Sequence, residues 1–67
     1  MTPQRLSTVI RNLREQQNMT QEQLAKRTGV TQGYIAQLES GLRKNPSLPL
    51  LKKLARALGV PMTELLE

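Results

Sequence analysis

A chain of 67 residues with neither cysteine nor histidine has few ways to hold itself together. Chains this short bury a modest share of their surface, so one core leaves little margin. Small domains usually add disulfides, a structural metal, a partner subunit or very regular helix packing. Without cysteine or histidine, disulfides and the usual zinc sites are excluded. What remains is regular helices, reinforced where needed by a second subunit, and the lack of cysteine fits an intracellular, cytoplasmic setting. Asp is also missing, so every acidic residue is Glu. No nucleophile–base pair, metal cluster or phosphate loop can be drawn from such a set, and neither an enzyme nor a cofactor is expected.

Apolar spacing supplies the helices. Leu6, Val9, Ile10 and Leu13 form the stripe of an amphipathic helix from about Pro3 to Gln17, with Thr2 as cap and Pro3 in its favourable first position. Thr20 and Gln23 form a capping-box pattern, and Met19 can staple onto Leu24. A second helix from about Gln21 to Thr28 then ends at Gly29. Thr31 caps a third helix, Val30 can staple onto Ile35, and Gly41 closes it. Pro46 stops any helix from crossing "LRKNP". Ser47 caps a fourth helix carrying Leu51, Leu54, Ala55 and Leu58, with Pro49 in the tolerated first turn and Gly59 at the end. "VPMTELLE" is a last short helix with Leu65 and Leu66 facing in. "LAKRTGV" and "LARALGV" share one pattern, which reads as helix end, glycine turn and apolar re-entry. No strand or linker signal interrupts this single all-α domain spanning residues 1–67.

Only Gly29, Val30 and Thr31 separate the second and third helices, which is the spacing of a helix-turn-helix unit. Taking Ile35 as inward on the third helix, Leu38 and Glu39 fall on the same side, while Gly33 and Gln37 fall opposite. Gln32 projects from the N-terminal end, and Ala36 and Ser40 flank the outward face. That face is uncharged in a chain of net charge +5 and pI about 10.5, a balance that favours anionic partners. Gln can bond bidentately to the N6 and N7 edge of adenine in the major groove, and small residues leave room for thymine methyl groups. An ordinary polar face, with Gln as a neutral helix former, accounts for the same residues. A membrane role fits less well. No run approaches the ~20 apolar residues of a membrane span, the N-terminus lacks a signal-peptide core, and Tyr34 is the sole aromatic residue where surface-lying helices carry several. Lys26-Arg27 and Lys52-Lys53 read as solubility charges.

"MTQEQLAKRTGVTQGYIAQLESG", followed by "PSLPLLKKLARALGVPMTELL", resembles the phage repressor/Cro-type helix-turn-helix domain, also called the Xre family, from about Leu6 to Leu66. Gln21, Leu24-Ala25, Gly29-Val30-Thr31, Ile35, Leu38-Glu39 and Gly41 carry the resemblance in register. It implies a compact five-helix repressor-like domain that binds double-stranded DNA as a transcriptional regulator, with the third helix in the major groove. By position it assigns base reading to Gln32, Gly33 and Gln37. Backbone contacts fall to Gln21, Thr31, Tyr34, Ser40, Arg43 and Lys44. Gly33 departs from the longer side chain common at its position, which implies close approach in place of a hydrogen bond. Asn45 and Ser47 replace basic residues of some relatives. The resemblance also pairs Arg14 with Glu39 as a structural ion pair between the first and third helices. One short recognition helix covers few base pairs, so a homodimer is expected at least on DNA. Its half-sites would lie about 34 Å apart on a pseudopalindrome, and its contacts at the last helix or the loop near Pro46. The competing reading is a protein-interaction module on the same fold, such as an antitoxin or regulator-binding subunit.

Overall fold

The computed structural model describes residues 5–66 and contains five α-helices: α1 (Arg5–Gln16), α2 (Gln21–Thr28), α3 (Gln32–Ser40), α4 (Leu48–Leu58) and α5 (Thr63–Leu66). No strand occurs among the described residues, and none of the helices is long and apolar enough to cross a membrane. The expected cap at Thr2 and Pro3 lies outside the described residues, as does the side chain of Leu66.

Helices α1 to α4 all stop in the same turn. A residue in the left-handed conformation follows the helix, and the next N–H bonds back to a carbonyl five residues earlier. Met19 N donates to Arg14 O at 3.1 Å, Val30 N to Ala25 O at 3.1 Å, Leu42 N to Gln37 O at 2.9 Å and Val60 N to Ala55 O at 3.0 Å. These bonds satisfy carbonyls that the helix itself leaves open. Gly41 takes φ 86° in this turn, a conformation that glycine adopts without steric cost. After α1 the left-handed residue is Asn18, at φ 56°. Asn is one of the few other residues that tolerate it. No glycine closes this helix, and Gln17, expected at its end, belongs to the turn. Gln17 instead donates its side-chain amide to the carbonyl of Leu58, tying the end of α1 to the end of α4.

The N-terminal caps are also in place. Thr20 and Gln23 exchange bonds of 2.8 and 3.0 Å at the start of α2, and Ser47 accepts from Leu50 N at 3.3 Å. Such caps contribute ~1 kcal/mol each. The core draws on every helix: Ile10, Leu24, Ile35, Leu38, Leu54 and Leu58 are fully buried, with Met19, Leu51 and Leu65 around them. Burial of each large side chain contributes ~1.5–3 kcal/mol. α3 packs on α1 and α2, α4 packs on α2 and α5, and α5 closes back onto α1. The arrangement fixes α3 from one side and leaves its Gln32–Gly33 side in solvent.

Candidate nucleic-acid interface

The start of α3 is built by Thr31. Its backbone is extended (φ −80°, ψ 157°), and its hydroxyl accepts from Tyr34 N at 3.1 Å. Ile35, Leu38 and Glu39 are buried along one side. Gln32, Gly33 and Ser40 are exposed, and Tyr34 and Gln37 are half-buried. The helix therefore presents small and amide groups outward, with no ionised side chain on that face. Its first N–H groups add a partial positive charge at the end that Gln32 occupies.

Two clusters hold this helix in place. In the first, Arg14 of α1 forms a two-pronged pair with Glu39: Nε to Oε2 at 2.6 Å and Nη2 to Oε1 at 3.0 Å. Arg14 also donates Nη1 to Met19 O at 2.7 Å, so one guanidinium joins α1, the turn after it and α3. The Glu39 side chain is 3% exposed and that of Arg14 12%. The hydrogen bond to Glu39 pushes the Arg14 pKa above its ordinary value against the opposing effect of burial, with the charges of Glu39 and Glu15 adding to the rise. Gln21, at the first position of α2, donates Nε2 to Glu39 Oε1 at 3.0 Å. Gln21 thereby belongs to the ion-pair cluster, and its amide plane is set by it. No buried side-chain nitrogen or oxygen among the described residues lacks a partner.

The second cluster lies at the other end of α3. The turn at Gly41 brings Arg43 N to 3.1 Å from Gln37 O. The Arg43 side chain then reaches back, donating Nε to Gln37 Oε1 at 2.7 Å and placing its guanidinium carbon 4.9 Å from the centre of the Tyr34 ring. Ser40 donates its hydroxyl to Gln37 O at 3.1 Å and accepts from Leu42 N at 3.4 Å. Lys44 stays apart from this cluster and borders a cavity of about 250 Å³ with Leu6, Pro46, Leu51 and Leu65. The basic residues read as solubility charges are partly gathered. Lys26 and Arg27 of α2 meet Lys53 and Arg56 of α4 around a cavity of about 380 Å³ that no residue of the outward α3 face lines.

Sequence reasoning missed three of these links: Gln17 to Leu58, Gln21 to Glu39, and Arg43 to Gln37. The last had a usable signal. A glycine closing turn sends the chain back toward the residue four before it, so an arginine two places after Gly41 can reach Gln37.

The helix-turn-helix family profile matches residues 10–65, which is most of the chain. The chain belongs to the Cro/C1-type helix-turn-helix family of DNA-binding transcriptional regulators. It is 50% identical over 54 residues to an uncharacterized HTH-type transcriptional regulator of Methanothermobacter thermautotrophicus, covering 81% of this chain and 77% of that protein. It is 36% identical to the HTH-type transcriptional regulator SlrR of Bacillus subtilis over 92% of this chain, which spans 41% of SlrR. Among solved structures it is similar to the restriction-modification controller protein C.AhdI of Aeromonas hydrophila, with a TM-score of 0.87 at 35% identity and 94% of each chain covered.

Proposed function

We propose that this chain regulates transcription by binding a pseudopalindromic DNA operator as a homodimer, with α3 of each subunit in the major groove. The observation that carries this reading is the outward side of α3. Gln32 and Gly33 are exposed and Gln37 is half-exposed, all on a helix whose only ionised side chain, Glu39, is buried and paired. Such a face can approach base edges without placing a carboxylate against DNA. Gln32 and Gln37 read bases there, and Gly33 permits close approach. Backbone positioning falls to Gln21, Thr31, Tyr34, Ser40, Arg43 and Lys44 around it. Arg14 and Glu39 hold α3 at the correct angle and read nothing.

Selection of random duplexes on the purified chain, followed by sequencing, tests the proposal. A pseudopalindromic site is expected, bound with an affinity that falls steeply with salt. Failure to enrich any duplex, with affinity flat in salt, would select the protein-interaction reading instead.

A further inference from the structure

The pair formed by Arg43 and Gln37 fixes which atom of the Gln37 amide is engaged and which is left unbonded. Arginine is a donor at every nitrogen, so the amide atom 2.7 Å from Arg43 Nε must be the oxygen. The bond is charge-assisted, and the contact of the guanidinium with the Tyr34 ring at 4.9 Å also holds the arginine. A third restraint comes from the backbone, where Arg43 N is bonded to Gln37 O at 3.1 Å. Arg43 is thus joined to Gln37 at both main chain and side chain. Gln37 Nε2 has no hydrogen-bond partner among the described residues.

Building on the DNA-binding reading above, we propose that Arg43 is a positioning residue for base recognition. It turns the Gln37 carbonyl toward its own guanidinium and leaves the amide NH₂ as the group that meets the groove. A free glutamine suits adenine, because it accepts from N6 and donates to N7 together. With one lone pair of its oxygen engaged by Arg43, Gln37 leaves its NH₂ donors as the unbonded group. Acceptor edges match it: guanine, with N7 and O6, or thymine, with O4. The terminal amino groups of Arg43 remain available for a phosphate, so one side chain couples the register on the backbone to the base preference of Gln37.

The role separates from plain phosphate binding by substitution. Lysine keeps the charge and loses the planar group that contacts Tyr34 while holding the amide, so Arg43→Lys retains phosphate attraction while loosening the hold on the amide. Arg43 is exposed and outside the core, so Arg43→Lys and Arg43→Ala leave the fold intact.

Two measurements are made on the intact chain. In the free protein, nuclear magnetic resonance follows the side-chain amide of Gln37, and Arg43→Lys is expected to shift it. An unmoved amide resonance shows that the pair does not exist and overturns the proposal. On DNA, duplex selection at matched salt compares wild type, Arg43→Lys, Arg43→Ala, Gln37→Ala and the Arg43→Ala/Gln37→Ala double variant. Wild type should prefer guanine or thymine over adenine about tenfold at one position per half-site. Both Arg43 variants should lose that preference at that position alone, and the double variant should match Gln37→Ala there. Equal weakening of every duplex by Arg43→Ala, with base preference unchanged, overturns the proposal. So does a wild-type preference for adenine at the position that Gln37→Ala relaxes. If wild type enriches no duplex, the DNA reading fails and this role with it, whereas the amide shift in the free protein still reports the pair.

Discussion

Arg14 and Glu39 show how much one pair of residues settles. The carboxylate of Glu39 is nearly inaccessible, and Arg14 supplies two of its three hydrogen bonds. Removing one partner of a buried pair costs ~3–5 kcal/mol, because the remaining charge stays desolvated. A chain of this length has only ~3–10 kcal/mol in total. Arg14→Ala should therefore lower the melting temperature by tens of degrees and weaken all DNA sites together. Thermal unfolding followed by circular dichroism checks this, and an Arg14→Ala variant that melts like wild type would refute it. The combined change Arg14→Met with Glu39→Leu should recover much of the loss, since apolar replacements of a buried pair are often neutral. The rise in the Arg14 pKa has a definite sign for pH dependence. A raised value means that its contribution is full below the unfolded pKa and is lost only as pH climbs through the folded one. Stability linked to this group should stay level through neutral and mildly alkaline pH. The sequence made the inward side of Glu39 legible through its spacing from Ile35, and the resemblance supplied its pairing with Arg14. The bond from Gln21 was not legible, because it needs the angle between α2 and α3, which no local pattern encodes.

At the scale of elements, α2, α3 and α4 were readable to the residue at their starts and ends. Each begins at a capping Thr or Ser and stops before a glycine, and those residues act within one turn. The end of α1 was less legible because Asn18 performs there what glycine performs elsewhere. Within α3, Gly33 is a position at which the fold does not require a glycine. It has no positive φ, and a methyl group built on it would meet only Thr31 Oγ1, at the ordinary distance of 3.9 Å. Glycine inside a helix costs ~0.5–1 kcal/mol relative to alanine. Gly33→Ala should therefore stabilise the free protein by about that amount, a rise of a few degrees in melting temperature. The same methyl group would stand on the face proposed to approach the bases, so DNA affinity should fall as stability rises. A variant both more stable and equally tight on DNA would show that α3 does not approach the groove closely at Gly33.

For the whole molecule, charge and size set the terms of binding. A net charge of +5, with Arg43 and Lys44 beside α3, suits neutralisation of about four to six phosphates per subunit. The logarithm of affinity for one half-site should then fall against that of salt with a slope of about −4 to −5, and Lys44→Ala should make it shallower by about one unit. Gln32→Ala should instead relax one base position at a cost of ~1–3 kcal/mol, with the slope unchanged. The proposed dimer can be sized from dimensions. Half-sites one helical turn apart place recognition helices about 34 Å from each other, and the domain measures 30 × 23 × 23 Å. Two subunits side by side would touch over a small area, which suits a pair that is weak in solution and completed on DNA. Leu42 is the residue at which we place that proposed contact. In the turns after α1, α2 and α4, the residue at the corresponding place (Met19, Val30 or Val60) packs against the core. After α3 that residue is Leu42, which is 75% exposed, and Leu48 across Pro46 is 55% exposed. Both leucines are more exposed than buried, so Leu42→Ser and Leu48→Ser should change the melting temperature little. Affinity for an isolated half-site should also stay the same. Affinity for the full pseudopalindrome should fall about tenfold, equivalent to roughly 1.4 kcal/mol of lost coupling. Paired titrations of the half-site and the full site measure this directly. Wild type that protects a single half-site at saturation would remove the dimer altogether. Unchanged coupling in both serine variants would move the contact from the Pro46 loop to α5.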